Sequence, residues 1–74
     1  MDVDTLDVRG KSCPLPILET RKVLRGRPAG SMLRVLATDA GAVKDFAAFC
    51  RQSGDRLVES TVLGDAFSFM IEKQ

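Results

Sequence analysis

Apolar and polar positions change period along this chain, and the changes mark its elements. Leu6 and Val8 alternate with polar neighbours in "TLDVRG", residues 5–10, which predicts a short strand ending at Gly10. Residues 14–26, "PLPILETRKVLRG", are rich in helix formers. Ile17, Leu18 and Leu24, with the stems of Arg21 and Arg25, form a patchy helical stripe that Gly26 and Pro28 stop. "SMLRVLAT", residues 31–38, predicts a largely apolar and therefore central strand. Asp39 suits a helix N-cap. Residues 40–53 then carry Val43, Phe46, Ala47 and Cys50 at i, i+3, i+4 and i+7, with Phe49 widening the stripe and Gly54 placed to close the helix. "RLVESTVL", a Gly-Asp turn and "AFSFMIEK" complete the chain as two strands, with Phe67, Phe69 and Ile71 on one face of the last.

The order βαβαββ constrains the architecture. The first crossover is long enough to make its flanking strands parallel and right-handed, and the last two strands form a hairpin. Two helices cannot cover both faces of a four-stranded sheet, so both are expected on one face. The fold class is α/β (α+β): a two-layer α/β sandwich with a mixed four-stranded sheet, formed by a single domain over residues 1–74. Leu6, Val8, Leu33, Val35, Phe67, Phe69 and Ile71 are expected to face the helices. For the third strand either Val58 and Val62 or Leu57 and Leu63 point inward. Met32, Leu36 and Met70 would then lie among polar residues on the other face, where a dimer or partner could sit.

Composition narrows the chemistry. A chain of 74 residues is near the size where one core only just suffices. "MDVDTLDVRG" lacks the apolar segment of a secretory leader, and no run is long enough to span a membrane. A cytoplasmic location with reduced thiols is therefore expected. The sequence holds no histidine, so a Cys-His catalytic pair is excluded and no metal site is expected. Net charge is +1, but residues 9–34 hold seven of the eleven basic residues and one acid, Glu19, which makes that stretch +6 and the remainder −5. Such a run is either a solvated helix face or an electropositive rim that favours a thiolate and steers an acidic partner.

That stretch surrounds "KSCPLPIL", residues 11–18. Proline lacks an amide, and the first turn of a helix needs none, so Pro14 and Pro16 are tolerated there and fix where the helix begins. Cys13 is left at or beside the N-cap on a stiff support. The positive end of the helix, with Arg9 and Lys11 as electrostatic support, is expected to favour its thiolate, and Gly10 lets the loop turn and keeps bulk away. The motif offers no base and no oxyanion donor side chain, which an acyl-transfer enzyme would need. A sulfur handed between proteins needs only a nucleophile and access. Cys50, on the apolar stripe, is read as core.

"LDVRGKSCPLPILETRKVL" resembles the signature of the TusA/SirA-like sulfur-carrier family, and the likeness continues through "PAG" at 28–30, "ATD" at 37–39, "KDFAAFC" at 44–50 and Gly54. The resemblance implies the sheet order 1-2-4-3. It also implies that Cys13 accepts a persulfide sulfur from a cysteine desulfurase or rhodanese-type donor and relays it to an acceptor protein. The relay would serve 2-thiouridine synthesis in tRNA, molybdenum-cofactor biosynthesis or sulfur oxidation. Pro14, Pro16 and Gly10 carry over as the motif's frame, and Asp7 and Asp45 match the pattern as structural supports. On this reading the chain is a sulfurtransferase-type carrier without small-molecule turnover of its own. It needs no cofactor beyond the covalent persulfide, binds neither nucleic acid nor membrane, and is a monomer or weak dimer. Two alternatives compete. A redox-sensing thiol protein would need Cys50 to resolve oxidised Cys13. A small RNA-binding module would need exposed stacking aromatics, and Phe67 and Phe69 alternate as core residues do.

Overall fold

The computed structural model describes residues 3–74, so Met1 and Asp2 of the stretch read for a leader lie outside it. The elements are β1 (Asp4–Asp7), α1 (Leu15–Arg25), β2 (Met32–Ala37), α2 (Ala42–Ser53), β3 (Arg56–Leu63) and β4 (Ala66–Glu72). They form a mixed four-stranded sheet in the order β1-β2-β4-β3, with β1 parallel to β2 and the other pairs antiparallel. The architecture is the expected two-layer α+β arrangement.

The core lies between the sheet and the two helices. Val8, Leu33, Val35, Phe69 and Ile71 are buried there, with Leu6 and Phe67 packed at its margin. Phe46 of α2 stacks on Phe69 of β4, with ring centroids 4.5 Å apart. Burying such a pair removes a large apolar area from water, and its geometry adds about 0.5–1.5 kcal/mol beyond the area term.

Leu24 of α1 and Phe46, Phe49 and Cys50 of α2 are buried as expected, and Ile17 packs against the core, but each helix also buries residues outside the expected stripe and leaves one of its members exposed. In α1 the buried residues are Pro16, Thr20 and Leu24, spaced i, i+4, i+8. Leu18 lies two residues from Pro16, about 200° around the helix, and is half exposed. Thr20 tolerates burial because its hydroxyl donates to the Pro16 carbonyl at 2.8 Å. In α2 the buried set is Ala42, Phe46, Phe49 and Cys50, while Val43 is exposed. On β3 neither expected pair is inward as a whole. A bulge between Leu57 and Glu59 breaks the period of two, so Leu57 and Val62 share the helix side by register. Only Leu57 reaches the core, and Val62 at the sheet edge is exposed.

Helix starts also shift. The Pro14 carbonyl accepts from Leu18 N–H at 3.0 Å, which makes Pro14 the N-cap of α1 and places Pro16 at the second helical position. In α2 the cap is Gly41, whose carbonyl accepts from Asp45 N–H at 2.9 Å. Asp39 sits two residues earlier in a turn, its carboxylate accepting from Gly41 N–H at 3.0 Å. The glycine satisfies the helix geometry, and Asp39 braces the approach to it.

Candidate functional site

β1 and β2 run parallel, and each is followed by a helix, so both helices begin at the same edge of the sheet. That edge is where open α/β sheets place their chemistry. Val8 N–H donates to the Leu36 carbonyl at 2.9 Å and prolongs the β1–β2 pairing by one residue. The chain then turns, with Lys11 N–H returning to the Val8 carbonyl at 3.2 Å. Gly10 has φ of 81°, a left-handed conformation that strains any residue with a side chain. Its N–H donates to Thr38 Oγ1 at 2.9 Å. This bond ties the loop carrying Cys13 to the loop that leads into α2.

Cys13 is exposed in a turn closed by Leu15 N–H to the Ser12 carbonyl at 3.0 Å. Cys50 is buried, and burial, followed by the charge of Asp55, pushes its thiol up to about 11. Both thiols are free. The Cys13 thiol is also pushed up, not down as the sequence suggested. The first cause is the Asp45 carboxylate acting as a hydrogen-bond acceptor toward the thiol. Partial desolvation and the charges of Asp45 and Asp39 follow. A Cβ placed on Gly41 would meet Asp39 Oδ2 at 3.3 Å and Asp45 Oδ2 at 3.5 Å, so the two half-buried carboxylates converge on that glycine.

The cations expected to help the thiolate are engaged elsewhere. Arg9 grips Asp7 through Nε to Oδ1 at 2.9 Å and a terminal nitrogen to Oδ2 at 2.8 Å, which lowers the Asp7 carboxyl to about 2. Lys11 Nζ pairs with Glu19 at 2.6 Å. Further along the basic stretch, Arg27 pairs with Asp4, and Arg34 lies 3.9 Å from Glu59. Arg21, Lys22 and Arg25 make no ion pair among the described residues. They line depressions along α1, where Arg21 lies over the Phe49 ring. The electropositive part of the run is therefore the far half of α1, and Cys13 lines neither depression.

The backbone of α1 explains why its positive end does not rescue the thiolate. Of the amides that open a helix without intrahelical partners, those of Pro14 and Pro16 do not exist. That of Leu15 is taken by Ser12. Only Ile17 N–H is left. The proline frame thus presents the sulfur and at the same time removes the donors that would hold an anion there.

The sequence singled out Cys13, Pro14, Pro16, Gly10, Arg9 and Lys11. The structure gathers them in one loop and first turn, with Arg9 and Lys11 directed at Asp7 and Glu19. What sequence reasoning missed is that Asp39 and Asp45 gather at the start of α2, on the same sheet edge as the Cys13 loop. The signal was present: two parallel strands, each feeding a helix, must bring both helix starts together. Among the described residues no group of three or more cysteine or acidic side chains could hold a metal ion. No helix there is long and apolar enough to cross a membrane.

Comparison with known proteins adds the following. A family model described as sulfurtransferase TusA matches residues 4–73. The sulfur carrier protein TusA of Allochromatium vinosum is 50% identical over 68 residues, covering 92% of this chain and 90% of that one. A putative sulfur carrier protein of Neisseria meningitidis is 46% identical over 72 residues, covering 97% of each chain. The crystal structure of a SirA-like protein from Desulfitobacterium hafniense superposes with a TM-score of 0.80 at 21% identity, covering 93% of this chain and 95% of that one, which is a likeness of fold.

Proposed function

The chain belongs to the TusA sulfurtransferase family of sulfur carriers, and from that footing we propose that Cys13 is the residue that carries its sulfur, as a persulfide. The observation that supports this most is the contrast between the two thiols. Cys13 stands exposed on a rigid helix tip, while Cys50 is sealed in the core with its thiol pushed up to about 11. The thiolate of Cys13 attacks the outer sulfur of a donor persulfide, the donor's S–S bond breaks, and the donor departs as a thiolate. The acceptor then attacks the outer sulfur on Cys13, and the new S–S bond breaks in turn. The sulfur moves at constant oxidation state, so no external oxidant or reductant is needed.

A cysteine desulfurase or a rhodanese-type protein supplies the sulfur in this reading, and an acceptor protein in the cytoplasm takes it on. The destination is thiouridine in tRNA, the molybdenum cofactor or sulfur oxidation, and any tRNA is handled by the acceptor. Leu15, Leu18 and Val43 are each about half exposed on the opening turns of the two helices. They offer apolar contact for protein partners around the thiol. A peroxide sensor is disfavoured, because it needs a low-pKa thiol with a resolving partner. An RNA platform is disfavoured because Phe67 and Phe69 lie on the helix-covered face of the sheet.

The test is to load the protein with a cysteine desulfurase and cysteine and weigh it intact. A gain of one sulfur atom, lost on reduction and absent in Cys13→Ser, is expected. Loading of Cys13→Ser at the wild-type level would refute the assignment.

A further inference from the structure

Helix α1 leads away from Cys13 with three cations that no acid among the described residues engages. We propose that the outer face of α1 is the docking surface for the proteins that exchange sulfur with Cys13, and that it fits a partner whose reacting cysteine is bordered by carboxylates and apolar side chains. This rests on the carrier reading and names the chemistry of the partner that the carrier takes.

Pro16, Thr20 and Leu24 turn one side of α1 to the core. The other side carries Leu15, Leu18, Lys22 and Arg25 at i, i+3, i+7 and i+10, one stripe at helical spacing, and all four are exposed. The stripe starts two residues from Cys13 and runs about 15 Å along the helix, at 1.5 Å per residue. It is apolar beside the thiol and basic beyond it. Arg21 flanks it and lies over the Phe49 ring. Two depressions share Arg21 and Arg25, one reaching toward Phe49 and Lys73, the other toward Leu18 and Lys22. A side chain entering either one meets both guanidinium groups.

Charge decides the kind of partner. Among the described residues Arg9, Lys11, Arg27, Arg34 and Arg56 each face an acid of this chain, and Arg21, Lys22, Arg25 and Lys73 face none. Lys44 and Arg51 of α2 are also unpaired, but neither lines the two depressions. The one acid of α1, Glu19, is held by Lys11. Such a cluster attracts an acidic surface and steers its approach. A second copy of this chain would set like charges against each other. An RNA strand would leave Leu15 and Leu18 uncovered beside the thiol, and no aromatic ring among the described residues is exposed for its bases to stack on. A protein covers both halves of the stripe. In loading, Cys13 Sγ bonds to the outer sulfur as the donor's S–S bond breaks, and the donor sulfur leaves with the electron pair, in line with the new bond. Unloading is the same exchange reversed. Donor and acceptor sulfurs therefore occupy the same place beyond Sγ, and the two proteins use the surface in turn.

The probes are two synthetic peptide persulfides, each with one cysteine beside leucines, flanked by glutamates in one and by glutamines in the other. Loading is followed by intact mass in wild type, in Arg21→Gln with Arg25→Gln, and in Ser60→Glu with Thr61→Glu. The last pair lowers the net charge equally but on β3, the sheet edge away from α1, which packs on β2. At low ionic strength the acidic peptide should load wild type about tenfold faster than the neutral one, the lower end of electrostatic steering. About 0.5 M salt should close the gap. The arginine pair should cut the preference to about twofold, since only part of the steering charge remains, and the β3 pair should keep it. The neutral peptide should load all three proteins alike, and release of the sulfur to the matching thiol peptides should show the same preferences. A preference unchanged in the arginine pair overturns the proposal, and so does an equal loss in the β3 pair, which would make net charge the cause. Should loss of the Arg21 contact with Phe49 unfold the first pair, Lys22→Gln with Arg25→Gln is read by the same criteria. Labelled oligouridylate should not bind at physiological salt, and tight binding lost in the arginine pair would give the face to RNA and overturn the proposal. If wild type loads from neither peptide, the carrier reading falls. If it loads equally from both, only this inference falls.

Discussion

The two helices start side by side at one sheet edge, yet their first turns are chemical opposites. The start of α2 has a glycine cap, Asp45 in its first turn and the Asp39 carboxylate on the Gly41 amide. Its positive end is matched with negative charge in the ordinary way. The start of α1 has two prolines and no acidic residue in its first turn. A dipole argument alone would make α1 the anion site. The comparison teaches that the effect resides in the free N–H groups, and that a helix whose opening residues lack them presents a sulfur without stabilising its charge.

The sharpest way to break the comparison is to remove each thiol in turn. Cys13→Ser should abolish sulfur loading while leaving the fold intact, and Cys50→Ser should leave loading intact while lowering stability by about 1–3 kcal/mol, the cost of an unpartnered buried hydroxyl. Intact mass and denaturant unfolding measure the two effects. Loading that followed Cys50 instead would reverse the roles of the two regions.

Next comes the proline frame. Pro14→Ala with Pro16→Ala restores two amides at the tip and loosens the support of Cys13. Transfer from a persulfidated donor protein should slow by a larger factor than stability falls, while the alkylation profile of Cys13 moves to lower pH. Unchanged transfer kinetics would show that the frame does not present the sulfur.

The tie between the two loops is a smaller lever. Thr38→Val removes the acceptor for Gly10 N–H, which should cost about 1 kcal/mol in unfolding free energy. It should also slow loading by freeing the Cys13 loop from the loop that leads into α2. Equal stability with equal loading would mean that the bond positions nothing.

The smallest effect concerns Asp7. Arg9 depresses its carboxyl to about 2, below the ordinary value near 3.9. The stabilisation this reflects is present above about pH 4 and is lost as pH falls toward 2, because the unfolded chain takes up the proton first. Both side chains are about half exposed, so solvent screening keeps the effect slight. Thermal melts between pH 5 and pH 2 should show Arg9→Ala losing less stability over that window than wild type. An identical loss would mean that the pair does not link folding to protons.

The Cys13 end of the molecule was largely legible in the chain. A cysteine before two prolines one residue apart states a helix start, because proline can sit in a first turn and almost nowhere deeper. Alternating apolar positions stated the helix-facing side of β2 and β4. Less legible were the faces of the two helices. Leu18 is apolar and Thr20 is not, yet Thr20 is buried because its hydroxyl finds the Pro16 carbonyl in its own helix. On β3 the bulge at Val58 made any assignment by strict alternation fail.

By itself the sequence determined the elements, the exposed cysteine before the first helix and the stiffness of its support, since these depend on local backbone chemistry and on patterns within one segment. The charge around that cysteine was decided only by the tertiary structure. Arg9 and Lys11 are near Cys13 in the chain and point to other acids, whereas Asp39 and Asp45 are far from it in the chain and lie at the neighbouring helix start. Charges act through space, and a parallel pair of strands brought the second helix start to the first.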